Sequence, residues 1–153
     1  MAQFDMTFPD DILDGLLDTP AEEICVDMLN AAAPVLVENM KKEARKAVMH
    51  EGESEMVESI HASKPKRTKD ETAYIVTVGP GGYSNHMYYD KKSRKKRKYR
   101  VGNALKAIWK EYGIAGKQAP RPFIGPATRN SEEKALEEMQ DVYRKKVGEE
   151  DGY

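Results

Sequence analysis

The sequence predicts a chain that mixes helices with a few strands, and three observations carry this. Apolar residues recur at the helical period over residues 20–48. A β-branched run, A-Y-I-V-T-V, follows at 73–78. A narrower helical stripe returns between residues 131 and 147.

In chain order, residues 1–8 read as a tail, and 9–17 as a short acidic helix with Ile12, Leu13, Leu16 and Leu17 on one side. Thr19 then reads as an N-cap, with Pro20 at the first helical position and Glu22 and Glu23 in the first turn. Ile24, Met28, Ala31, Ala32, Val35, Leu36, Met40, Ala44, Ala47 and Val48 supply the apolar face of the helix that follows. Lys41, Lys42, Arg45 and Lys46 crowd its last turns, which suits the helix dipole. Pro34 lies in its middle and predicts a kink or a split into two helices, and Gly52 ends the pattern.

Residues 56–63 and 73–78 come next, and the second is the clearest strand of the chain. Between them, 64–70 reads as a polar, hairpin-like connection, and Gly79-Pro80-Gly81-Gly82 stops the strand. Residues 81–100 read as a long loop ending in K-K-S-R-K-K-R-K-Y-R. Apolar residues at 101, 104, 105, 108, 109 and 112 then favour a helix over a strand. A stiff, extended arm follows, because Pro120, Pro122 and Pro126 fix their own φ and restrict their predecessors. It presents Arg121 and Phe123 in a set order. Asn130 or Ser131 caps a last helix to about Val147, striped by Ala135, Leu136, Met139, Val142 and Tyr143.

The chain is 153 residues long, enough for one domain with a real core, but only 39% of it is apolar and 33% is charged. The expected division is an acidic arm at 1–18, a single domain at 19–147 carrying a basic loop at 83–100, and a short tail at 148–153. No apolar run approaches 18 residues, so no membrane span is expected. The N-terminus lacks the basic region and apolar core of a signal peptide. Cys25 is alone, so no internal disulfide forms, which fits an intracellular history.

The net charge of −1 conceals a strong polarity. Residues 1–30 hold eight acids and no Lys or Arg, whereas residues 91–121 hold twelve basic residues against Glu111 alone. Such asymmetry speaks about partners. Lys91, Lys92, Arg94, Lys95, Lys96, Arg97, Lys98 and Arg100, flanked by Tyr83, Tyr88, Tyr89 and Tyr99, carry three readings. They are a phosphate-neutralising surface with stacking tyrosines, a self-repelling loop, or a handle for an acidic patch on a neighbouring protein.

No residue pattern here points to catalysis. His50, His61 and His86 lie far apart and lack metal-ligand spacing. Cys25 sits in a helical apolar context beside acids, which suits a buried small hydrophobe. Gly79 to Gly82 lack the phosphate-cradle pattern. No grouping supplies nucleophile, base and oxyanion donors, and no cofactor is implied.

The order helix, M-V-E-S-I, strand A-Y-I-V-T-V-G, K-E-Y-G, A-P-R-P-F-I-G-P-A and terminal helix resembles the minor tail-component family of long-tailed bacteriophages. Its members are described as tail-completion or head–tail joining proteins. The motifs that carry the likeness are Ser59-Ile60, Glu111-Tyr112-Gly113, and the run from Pro120 to Ala127, within a match covering about residues 21–147. The motifs are short, and their order and spacing give them specificity. Members often have T-G-x-L before Ser-Ile, where this chain has E-G-E-S-E-M-V, and the loop at 81–100 is unusually basic here.

The resemblance implies an α+β fold in which helices pack on a small, mostly antiparallel sheet. It implies a virion structural protein without catalytic residues, assembled in the host bacterial cytoplasm and working as a ring, commonly hexameric. Its partners would be other copies of itself and neck or tail proteins such as head-closure, tail-terminator or tail-tube proteins. Arg121, Phe123, Ile124, Trp109 and Tyr112 are the expected contact residues, the last four alternatively belonging to the subunit's own core, with the acidic N-terminal end of one copy meeting the basic block of the next. The alternative is a small nucleic-acid-binding protein using residues 91–100.

Overall fold

The computed structural model describes residues 21–48 and 53–147, and the backbone of residues 2–6. The predicted short acidic helix at 9–17, the Thr19 cap and the C-terminal tail at 148–153 lie outside the described residues. The chain runs β1 (Ala2–Met6), α1 (Ala21–Ala47), α2 (Ser54–Glu58), β2 (Ile60–Ala62), β3 (Lys66–Arg67), β4 (Tyr74–Pro80), β5 (Tyr83–Asp90), β6 (Lys95–Gly102), α3 (Asn103–Tyr112) and α4 (Ile124–Val147). This is the expected α+β fold.

Helix α1 buries Ile24, Met28, Ala32, Leu36, Met40 and Ala44, each four residues after the last, with Leu29 beside them. It continues through Pro34 as one helix, so the chain does not split there. Pro34 and Asn30 are both exposed, so water reaches the carbonyl that Pro34 cannot bond. Helix α4 lies antiparallel to α1. Its Lys146, near the C-terminus, holds Glu23 and Asp27 near the start of α1, at 2.8 Å each. Its buried line is Ala127, Ser131, Ala135 and Met139, one residue per turn and mostly small. Small residues facing Ala32, Ala33 and Ala44 let the two helices approach closely.

Strand β4 is the centre of the main sheet. β1 pairs along one edge, from Ala2↔Val78 to Met6↔Tyr74. β2 and β3 share the other edge, at Ile60↔Pro80 and Lys66↔Ile75 respectively. All these pairs are antiparallel. Val76 and Val78 are buried with Met56, Val57 and Ile60 in the core that α1 and α4 share.

Several expectations change. Residues 2–6 form an edge strand and not a tail, because β4 otherwise leaves a row of backbone donors and acceptors open. Residues 54–58 are helical, and only 60–62 of the following segment is extended. Strand β4 continues through Gly79 and Pro80, where β2 pairs with it.

The largest correction concerns residues 81–100, read as a loop. They form most of a β-hairpin whose strands pair from Tyr83↔Gly102 to Asp90↔Lys95. Cross-strand register explains it. Lys95 faces Asp90, Lys96 faces Tyr89, Arg97 faces Tyr88, Lys98 faces Met87 and Arg100 faces Asn85. No cation opposes another across the ladder, so the repulsion that argued for a loop is never set up between the strands.

Candidate functional site

Two surfaces bear on function: the junction between α3 and α4, and the hairpin arm with the helix that anchors it. The junction gathers the short motifs. Gly113 ends α3 with φ +75°, and a Cβ there would stand 2.6 Å from the Gln118 carbonyl oxygen. Only glycine fits. The chain then turns back through an Ile114–Gln118 bridge, and the Arg121 N–H donates to the Lys110 carbonyl at 2.6 Å.

This return brings residues 123–125 onto Glu111. Its carboxylate accepts the backbone N–H groups of Phe123 at 2.9 Å, Ile124 at 3.0 Å and Gly125 at 3.4 Å. These are the unpaired donors at the start of α4, where a negative charge also suits the helix dipole. Pro126, in the first turn, has no N–H to satisfy. A cap delivered from another helix is why α4 begins at Ile124, about two turns before the expected Asn130 or Ser131.

The expected contact residues therefore part company. Phe123 is 0% exposed, at the centre of this chain's own core, so it offers nothing to a partner. Ile124 packs against the same core. Arg121 is exposed beside Glu43 and Lys46 of α1, and among the described residues its side chain makes no ion pair. Glu111 is not its partner, because the backbone occupies both carboxylate oxygens. Trp109 is half-buried, edge-on to His86 at 5.7 Å. Tyr112 is the one aromatic or aliphatic residue of the five that stands open, at 76% exposure.

The arm is β5 and β6. Its base is held by polar contacts from α3. Lys106 Nζ donates to Ser84 Oγ at 2.6 Å and to the Asn85 carbonyl at 2.8 Å. Ser84 donates onward to Asn103, whose amide donates to the Gly81 carbonyl at 2.8 Å. Lys106, Ser84 and Asn103 are all buried. Burial pushes the Lys106 ammonium below its ordinary range, against the pull of Glu55 and Glu53. Lys110, also buried, pairs with Glu53 of the loop before α2 at 2.8 Å. Among the described residues no buried side-chain N or O lacks a partner.

At the tip, Asp90 closes the turn. It accepts from the Lys92 N–H at 2.9 Å and the Ser93 hydroxyl at 2.8 Å, and pairs with Arg97 at 3.1 Å. The Ser93 hydroxyl, then the Lys92 N–H, hold its carboxyl below the usual carboxylate range. Arg94 takes φ 53°, the left-handed conformation the turn needs. The arm's two faces differ. One stacks His86, Tyr99 and Tyr88 edge-to-face above Trp109. The other sets Tyr83, Met87 and Tyr89 across from Gly102, Lys98 and Lys96, with the Arg100 guanidinium 5.3 Å over the Tyr83 ring. Every cation from Lys91 to Arg100 is exposed.

Helix α3 is apolar on the outside. Its buried line is Asn103, Lys106, Ala107 and Lys110. Half a turn away, Leu105, Ile108 and Tyr112 are 44%, 46% and 76% exposed. The sequence pattern marks these apolar residues as helical but does not reveal that they lie outside, because the lysines inside find partners far along the chain.

The acidic end is partly spent. Glu23 and Asp27 hold Lys146, and Glu22 lies 3.6 Å from Arg67 and accepts from the Tyr74 hydroxyl. An acidic band that the sequence analysis passed over lies on α4. Residues 132–141 hold Glu132, Glu133, Glu137, Glu138 and Asp141, all exposed, against Lys134 alone. Leu136 stands among them at 44% exposure. Leu136, expected in the apolar stripe of this helix, lies outside because it sits one place off the buried Ala135–Met139 line.

His61 bonds the Ser59 carbonyl through Nδ1, and Cys25 is buried, with its thiol pushed up by burial. Among the described residues no cluster of His, Cys, Asp and Glu could hold a metal, and no helix is long and apolar enough to cross a membrane. No family model, curated protein or solved structure matches this chain.

Proposed function

We propose that the chain is a structural assembly protein of a long-tailed bacteriophage, a tail-completion or head–tail joining component that works as a ring through protein–protein contacts. The observation that carries this reading is the interlocking of two of its three short motifs. Glu111-Tyr112-Gly113 ends one helix, and the Pro120 to Ala127 run opens the next through the Glu111 carboxylate. Gly113 makes the turn between them. Motifs bound this way have a physical reason to occur together and in order, and order is what the resemblance rests on. A closed ring also needs unlike faces on each subunit. Eight cations and Asp90 give the arm a net charge of +7, so with the chain at −1 the remainder carries −8.

The test is native mass measurement with particle imaging of the purified protein, alone and mixed with head-closure, tail-terminator and tail-tube proteins. Closed rings, commonly of six, are expected. A protein that stays single in every mixture overturns the reading.

A second reading is favoured by one feature. The arm is a two-stranded ribbon with cations and tyrosines interleaved on one face, and such a ribbon fits the major groove of a duplex. Duplex binding measured at two salt concentrations decides it. Tight binding near physiological salt with a steep salt dependence supports a nucleic-acid role, and weak binding rejects it.

A further inference from the structure

We infer that the outward face of α3, together with the basic arm rooted at its N-terminus, docks on the acidic outward face of α4 in a second copy of this chain. The inference rests on the assembly reading and names the contact that would build the ring.

The first ground is the inverted burial of α3. Leu105, Ile108 and Tyr112 stand at positions i, i+3 and i+7 and point away from the core, while Lys106 and Lys110 point into it. Folding of the single chain does not use this stripe. Burying two lysines is costly unless each finds partners, and each does. The helix thus turns its apolar side outward at the expense of polar bonds inward, an arrangement that suits a covered surface.

The second ground is charge. The arm continues directly into α3 at Gly102 and its His86 packs on Trp109 of that helix, so the basic arm and the apolar stripe adjoin. Three side chains fall well short of the roughly 800 Å² that each partner contributes to a stable contact, so the arm must share the burial. The matching surface has an exposed leucine beside an acidic band, and Leu136 with Glu132, Glu133 and Glu137 supplies it. The carboxylates near the start of α1 serve less well, because Glu23 and Asp27 are already held by Lys146. The two faces are unlike, so the contact is heterologous and propagates around a rotation axis. Apolar anchors supply affinity, and the charges supply register and encounter rate.

Sedimentation equilibrium of the full chain at fixed salt tests this. Leu105→Glu with Ile108→Glu changes exposed positions, so the melting temperature should hold while association weakens about tenfold or more. Lys96→Glu with Lys98→Glu on the arm, and separately Glu133→Lys with Glu137→Lys on α4, should each weaken association. Carrying both sets in one chain should restore it. Rescue by the double set is a result that a merely structural role does not produce. Rings that form but ignore every one of these changes overturn this contact and leave the assembly reading standing. A chain that stays single alone but forms rings with neck and tail proteins has the same consequence. An arm reversal that abolishes duplex binding and leaves association untouched assigns the arm to nucleic acid and also overturns the inference.

Discussion

The helical body and the hairpin arm are held by opposite means. In the body, α1 and α4 meet through alanines, and Phe123, Met139 and Met40 close the space between them with scarcely any exposed surface. In the arm, only Ser84 and Val101 are buried along two eight-residue strands, and the root is a chain of hydrogen bonds from Lys106 and Asn103. Apolar packing tolerates little change in shape, because interiors are close-packed. A polar root holds a projecting ribbon and leaves its other residues free to be chosen for a partner. The residues that recognise something should therefore lie where folding makes no demand on them, and the interrupted ladder of tyrosines and cations is such a place.

The comparison predicts a descending series of effects. Phe123→Ala should be the most damaging, at about 3–5 kcal/mol, because it empties a fully enclosed site in the body. Denaturant unfolding should show the whole loss, with the arm and body melting together. Glu111→Ala should cost less, about 1–3 kcal/mol, by leaving the first N–H groups of α4 without their acceptor. Hydrogen exchange should rise first at residues 123–125, and Glu111→Gln, which keeps an acceptor oxygen, should restore part of the protection.

Lys106→Met should separate the two regions. Exchange should quicken at Ser84, Asn85 and Val101 while the amides of α1 and α4 hold their protection. The same residue carries a pH signature. Its folded pKa lies below the ordinary lysine value, so the unfolded chain binds the extra proton between the two values. Stability contributed at this site therefore rises as pH climbs from the lowered value toward 10.5, the ordinary value for lysine, and the Lys106→Met chain should lack that rise. Protection at the arm's root, followed across that alkaline range, is the measurement.

The smallest effect belongs to the exposed tip. The Asp90 carboxyl is held below its ordinary value, so its contribution is present above the unfolded carboxylate pKa and fades as pH falls through the lowered one. Acidification should loosen residues 91–94 in nuclear resonance spectra and leave the body unchanged. Asp90→Asn should remove most of that pH dependence.

Local chemistry made much of this molecule legible. The α1 stripe, the β-branched centre of β4 and Ala135 and Met139 of α4 follow from periodicity, because each of these elements buries one apolar face, and the period over 103–112 marks a helix although part of its apolar side lies outside. Cys25 as a buried small hydrophobe was legible for the same reason. The hairpin was not, since a strand that opens on four consecutive cations looks self-repelling until its partner's side chains are set opposite. The start of α4 was not, since its cap comes from Glu111, twelve residues before Phe123.

The sequence by itself determined the long α1, the β-branched centre of β4, the polarity of charge and the motif order. These depend on neighbours a few positions away, where backbone sterics and side-chain periodicity act. Tertiary structure alone decided which way α3 faces, that Phe123 is interior, and that Leu105, Ile108 and Tyr112 are left outside. Those outcomes turn on whether Lys106 and Lys110 find partners far along the chain, and a buried charge is tolerable only once such partners are in place.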